Sequence, residues 1–159
     1  MPDELQIRRG EMRDAEAIAA FNAAMAFETE GKELLPEVIA AGVKGLIGNP
    51  GLGFYLVAES RGRVVASLMI TTEWSDWRNG VFWWIQSVYV LPVWRRKGVY
   101  SRLYDAVKNA AANDAGICGF RLYVEKENRS AQKTYHALGM RETDYQLYEE
   151  MKPGIRYCR

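Results

Sequence analysis

One stretch, Ser87 to Tyr104, limits what this chain can become more than any other. Val88, Tyr89, Val90 and Leu91 are β-branched, aromatic or aliphatic, and they predict a strand. Pro92 has no N–H for a ladder, so the strand should end there. Arg95, Arg96, Lys97 and then Gly98 follow. Beyond Gly98 the apolar period changes from two to about 3.6, with Val99, Leu103, Ala106, Val107 and Ala110 on one face of a helix. Strand, basic glycine turn and helix start together describe an α/β chain. They also describe an anion site, because the first N–H groups of a helix have no partner within it and the helix dipole is positive there. Arginine and lysine add charge-assisted donors. A solvated basic turn accounts for the same residues equally well.

The other elements follow from local signals. Leu5 and Ile7 alternate with polar residues as a short strand. Asp14 is placed to cap a helix reaching about Thr29, which Gly31 interrupts. Pro36 opens a second helix through Ile47. Phe54–Glu59 and Arg63–Thr72 read as strands joined at Arg61-Gly62. A reversal at Asp76–Gly80 leads into a long strand, Val81–Leu91. The helix after Gly98 should end near Asp114. Cys118–Glu125 is the next strand, with Cys118 read as buried. Asn128 caps a helix from Arg129 to Leu138, and Gly139 stops it. Tyr145–Met151 reads as a last strand. The order is β-α-α-β-β-β-α-β-α-β. A right-handed crossover would bring the strand after the central helix parallel to the strand ending at Leu91.

Composition narrows the partners. With 159 residues the chain suits a single domain over 1–159. A net charge of +1 gives no bulk attraction to nucleic acid or an anionic membrane. Two cysteines are no disulfide framework, so a cytoplasmic location is expected. No apolar run approaches the roughly 18 residues of a membrane helix, and the start, Met-Pro-Asp-Glu-Leu, is expected to hold no signal peptide. His136 is the only histidine and has no ligand partners at metal spacing, so no metal is expected.

Two motifs carry a resemblance. Arg95-x-x-Gly98-x-Tyr100, after Val-x-Val-x-Pro, resembles the Gln/Arg-x-x-Gly-x-Gly/Ala signature of the GNAT superfamily of N-acetyltransferases. Asn128-x-x-Ala131-x-x-x-Tyr135-x-x-x-Gly139 resembles the segment following that family's fifth strand. The element order is similar too, so the resemblance spans nearly the whole chain. It implies a mixed α/β sheet with a splayed pair of parallel strands, and acetyl-CoA as co-substrate with an amine acceptor. The cofactor would lie on the main chain of Val88, Tyr89 and Val90, on the turn Arg95, Arg96, Lys97, Gly98, Val99, Tyr100 and Ser101, and on Asn128, Ala131 and Tyr135. Tyr135 would be the general acid, since a phenol with a pKa of about 10 can protonate a departing thiolate. Taken alone, Asn128 reads as a helix cap and Tyr135 as a core aromatic. Tyr100 replaces the family's small residue, so it must point away from the phosphates, or the loop must stand further off.

The resemblance also implies a glutamate on the strand before Val-x-Val. Here Trp84, Gln86 and Ser87 stand there, and none titrates usefully. Glu28 and Glu73 are candidate bases, with a bound water as the alternative. Simple alternation would put Trp84, Gln86, Val88 and Val90 on one face and Trp83, Ile85 and Tyr89 on the other. One set should be core. The other would wall an acceptor cleft with Trp74, Asp76 and Trp77, or form a contact between two copies in a homodimer. An acyl-CoA-sensing or partner-binding module without turnover is the competing function on such a fold.

Overall fold

The structure, a computed structural model, describes residues 4–159. Residues 1–3, part of the start read for a signal peptide, lie outside the described residues. The elements are β1 (Leu5–Arg9), α1 (Ala15–Glu30), α2 (Pro36–Ile47), β2 (Gly53–Ser60), β3 (Arg63–Ser75), β4 (Gly80–Val90), α3 (Val99–Ala112), β5 (Ile117–Leu122) and α4 (Arg129–Ala137). They build one mixed sheet in the order β1-β2-β3-β4-β5. The first four strands are antiparallel, and α3 carries the chain across so that β5 lies parallel to β4. The expected mixed α/β sheet is therefore present. Arg61 and Gly62 take φ of 51° and 76°, the left-handed pair that a two-residue hairpin turn needs.

Each sheet face buries its own apolar set. On one face Ile18 of α1 and Val43 and Leu46 of α2 pack on Tyr55 and Val57. On the other, Val99, Leu103 and Val107 of α3 pack on Leu56, Leu68, Ile70 and Ile85. Asp14 does not cap α1 through its side chain. A one-turn 3₁₀ segment, Met12–Asp14, precedes the helix and turns the carboxylate back toward β1. There it accepts from Arg8 at 2.8 and 3.0 Å and from the Glu11 N–H at 2.7 Å. Arg8 also holds Glu59 at 3.2 Å, so this cluster ties the start of α1 to β1 and β2. The Arg8 hydrogen bonds keep the Asp14 carboxyl below the ordinary carboxylate range.

Three expectations are corrected. Alternation along β4 fails at a bulge: Met69 pairs with Gln86 but Ser67 pairs with Tyr89, leaving Ser87 and Val88 opposite Leu68 alone. Ser87 has φ of 54°. The extra residue reverses the pleat, so Tyr89 joins the face of Trp84 and Gln86, where it touches Phe21 of α1 at 5.3 Å. Second, Cys118 is exposed rather than buried, because β5 is the outermost strand and Cys118 lies near its start, at the sheet's rim. Third, residues 145–151 form no strand. Among the described residues none pairs with them, and the described sheet ends at β5.

Candidate active site

The site begins where β4 and β5 part. Their parallel pairing stops at Ile85 opposite Leu122, while β4 continues to Val90. The last five residues of β4, from Gln86 on, therefore have no partner on the β5 side among the described residues, and they include the bulge. Main-chain groups there are free to bond a ligand.

The turn after β4 completes a cleft of about 450 Å³. Pro92–Trp94 is a 3₁₀ turn, Arg96 has φ of 61°, and Gly98 has φ of 76° as the residue before α3. Gly98 is needed for that angle, not for room, since a Cβ there would meet nothing within 4 Å. No side chain caps α3, so the N–H groups of Val99, Tyr100 and Ser101 stay available at the positive end of the helix. Of the cofactor residues expected between 88 and 101, all but Lys97 border this cleft, and so does Glu28. The sequence reading missed Met25, Thr29, Trp94 and Thr134, which border it too. Their positions come from packing α1 and α4 beside the turn, which no local pattern announces.

Several predicted residues are engaged differently than expected. Arg95 turns back to β4, donating to the Val90 carbonyl at 2.9 Å and to Glu28 at 3.1 Å. Tyr89 also bonds Glu28, and these two partners hold the Glu28 carboxyl below its ordinary range. The guanidinium of Arg95 is thus a strut between α1 and β4, while Arg96 and Lys97 are exposed cations on the turn. Asn128 caps α4, its side chain accepting from the Ala131 N–H at 3.1 Å. That uses the Ala131 amide within the helix.

Glu73 stands on β3, whereas Glu28 belongs to α1. It accepts from Trp84 Nε1 at 3.1 Å and from Arg121 at 2.7 Å. Arg121 stacks on Phe82 at 3.7 Å, and Trp84 packs on Tyr123 at 4.7 Å. Gln86 donates to Thr71 at 2.8 Å. Trp84, Gln86, Glu73, Arg121 and Tyr123 thus form an aromatic and polar wall beside the opening. Trp83 is core, packed edge-on against Phe54, whereas Trp74 and Trp77 project into solvent. Arg121 and Tyr123 escaped the sequence reading because their role depends on β5 lying beside β4.

Two phenols meet at the α3–α4 junction. Tyr135 is not among the residues bordering the cleft; its ring packs edge-on against Tyr100, at 5.7 Å, which is. Burial pushes both phenols above the ordinary tyrosine value. The Tyr100 hydroxyl is buried and has no hydrogen-bond partner among the described residues. An orphaned buried hydroxyl costs about 1–3 kcal/mol, so a ligand filling the cleft would relieve it. Tyr100→Phe is therefore expected to raise the melting temperature of the free protein while weakening a ligand that fills the cleft and bonds this hydroxyl about fivefold, roughly one neutral hydrogen bond. Calorimetry in which neither quantity changed would show that the hydroxyl has found another partner.

Among the described residues no group of three or more histidine, cysteine or acidic side chains is arranged to hold a metal ion. None of their helices is long and apolar enough to cross a membrane.

Comparison with known proteins agrees with this fold. The model of the acetyltransferase (GNAT) family matches residues 15–140. The uncharacterized N-acetyltransferase YhfO of Bacillus subtilis (strain 168) is 27% identical over 155 residues, covering 97% of this chain and 96% of that protein. The crystal structure of "a possible acetyltransferase" from Clostridium difficile 630 is 49% identical, covers 93% of this chain and 97% of its own, and superposes with a TM-score of 0.88. A "predicted acetyltransferase with acetyl-CoA" from Clostridium acetobutylicum shares the fold alone: 20% identity over 92% of this chain and 96% of that one, TM-score 0.75.

Proposed function

The chain belongs to the GNAT acetyltransferase family, and from that premise we propose that it moves an acetyl group from acetyl-CoA to a primary amine by direct attack on the thioester. The observation that carries the reading is the opening between β4 and β5, where the main chain from Gln86 to Val90 pairs with β3 but with no β5 residue, beside the start of α3. The pyrophosphate would rest on the N–H groups of Val99, Tyr100 and Ser101, with Arg96 and Lys97 supplying charge. The pantetheine arm would run along Val88, Tyr89 and Val90. An N–H of that bulged segment would hold the thioester carbonyl and then the oxyanion of the tetrahedral intermediate.

The amine would enter past Glu73, Trp84 and Tyr123 on the side of the sheet that α1 and α2 partly cover. Its nitrogen forms the new bond to the carbonyl carbon and gives up a proton. The intermediate collapses by breaking the C–S bond, and Tyr135 protonates the departing thiolate, recovering its proton from solvent. No carboxylate here is poised as a free base. Glu28 is held ionised by Tyr89 and Arg95, and Glu73 is held by Trp84 and Arg121. Deprotonation would pass through a water near Gln86 and Ser87, or occur before the amine binds.

Glu28→Gln and Glu73→Gln are accordingly expected to lower kcat/KM by less than about tenfold each, or about 1.4 kcal/mol. kcat/KM should rise with pH toward the acceptor's own pKa, because only the neutral amine has a free lone pair. A thousandfold loss in either variant, with the acidic limb of the profile gone, would make that residue the base.

The assay that decides between transfer and acyl-CoA sensing is release of free CoA from acetyl-CoA across a panel of small amines, aminoglycosides, amino acids and peptides. Turnover with any acceptor supports transfer. Tight acetyl-CoA binding with no CoA release for the whole panel would favour the sensing module.

A further inference from the structure

One aromatic ring is buried outside both apolar clusters. On the α1 and α2 side of the sheet those helices pack on Tyr55 and Val57, with Met69 beside them. Further along, Phe82 of β4 stands between Glu73 of β3 and Gly119 of β5. Phe82 belongs to neither cluster, yet it is only 8% exposed. Gly119 makes room for it, since a Cβ there would lie 2.9 Å from the ring. Two guanidiniums cover the ring. Arg121 stands 3.7 Å from its centroid, and Arg78, from the turn between β3 and β4, stands 4.9 Å from it.

Neither guanidinium is used up. An arginine has five N–H donors. Arg121 gives Nη1 to Glu73 at 2.7 Å, and Arg78 gives Nη1 to the Ser75 hydroxyl at 3.2 Å. Their Nε and Nη2 groups make no hydrogen bond among the described residues. Glu73 is the one carboxylate bonded to either, and the same oxygen also accepts from Trp84. Asp76, in the turn, accepts the Trp77 N–H at 2.8 Å. Stacking and the ion pair hold Arg121 still, so an incoming anion meets a planar fork whose freedom is already lost. An ammonium would meet two cations and a carboxylate that is already paired.

We propose that Arg78 and Arg121 bind a carboxylate at the far end of the acceptor, so that the amine substrate is one whose nitrogen and carboxylate lie well apart, as in a short peptide. The inference rests on the acetyl-transfer reading. From Phe82 to the bulge at Ser87 is five steps of strand, about 16 Å at about 3.3 Å each. Extended chain covers about 3.3–3.6 Å per residue. An amine at the bulge and a carboxylate at the guanidiniums therefore belong to a chain of about four or five residues. Its middle would lie along Trp84 and Tyr123. A free α-amino acid, with both charges on one carbon, is too short to reach both ends.

Turnover of acetyl-CoA with glycine oligomers of two to six residues tests this, each supplied as the free acid and as the C-terminal amide. Only the distant charge differs within a pair. At four or five residues the acid should exceed the amide at least about tenfold in kcat/KM, the worth of one charge-assisted hydrogen bond. At two residues the pair should be nearly equal. Arg121→Gln and, separately, Arg78→Gln should each collapse the ratio toward one. The ratio is internal to each variant, so a general loss of activity from uncovering Phe82 cancels. Arg78 lies in an exposed turn, so its variant keeps the fold even where Arg121→Gln does not. Equal rates for acid and amide at every length would overturn the proposal, and so would a ratio that survives both substitutions. Should no oligomer release CoA, the wider amine panel judges the transfer reading and calorimetry with tetraglycine and its amide judges the subsite. Tighter binding of the acid, lost in Arg78→Gln, would support the subsite; equal affinity would overturn it.

Discussion

Gly98→Pro is expected to lower acetyl-CoA affinity by at least about a hundredfold while the domain stays folded. Gly98 sits at φ of 76° immediately before α3. Proline is locked near −65° and has no N–H, so the substitution removes one amide and forces the turn at Arg96 to Val99 into a new path. Losing two hydrogen bonds to a charged pyrophosphate, at about 1.5–3 kcal/mol each, is worth about 3 kcal/mol or more, which is about a hundredfold. Gly98→Ala is the control. It keeps the amide, meets nothing within 4 Å, and costs only the left-handed strain of about 1–2 kcal/mol. Isothermal titration should rank the affinities wild type, alanine, proline. A folded proline variant with wild-type affinity would move the phosphates away from this turn.

Tyr135→Phe should reduce kcat by roughly ten- to a thousandfold with acetyl-CoA affinity little changed, the range typical of a lost general acid. The ring and its edge contact with Tyr100 remain; only the proton goes. Burial raises the Tyr135 pKa above the ordinary value of about 10. The phenol then stays protonated while a bound amine loses its proton, so the wild-type rate should climb with pH and not turn down below the ordinary tyrosine range. Tyr100 is the informative comparison, because it borders the cleft and Tyr135 reaches it only in contact with Tyr100. If Tyr100→Phe lost the rate and Tyr135→Phe kept it, the acid would be Tyr100.

The elements that depend on neighbouring residues were legible in the sequence. Pro92 and Gly98 end a strand and start a helix whatever lies around them, because their effect is on φ and the N–H. The left-handed turn at Arg61-Gly62, the cap at Asn128 and the periodicity of α3 are local in the same way, and all three are present. From these alone came the strand-turn-helix anion site, and with the second motif the family resemblance.

What the sequence could not decide was everything fixed by contact across the sheet. The bulge at Ser87 turns Tyr89 toward α1, because register is set by the pairing of β3 with β4 and one extra residue inverts every side chain beyond it. Arg95 reads as a phosphate ligand until α1 brings Glu28 beside it; an ion pair across 67 positions has no local signature. Glu73 reads as a free carboxylate until β5 delivers Arg121. Tyr145–Met151 has strand composition, yet strand formation needs a second strand for its main-chain bonds, and composition alone does not supply one. The residue types and their local angles were determined by the chain itself. Which charges are free and which phenol borders the cleft were decided only when the five strands came together.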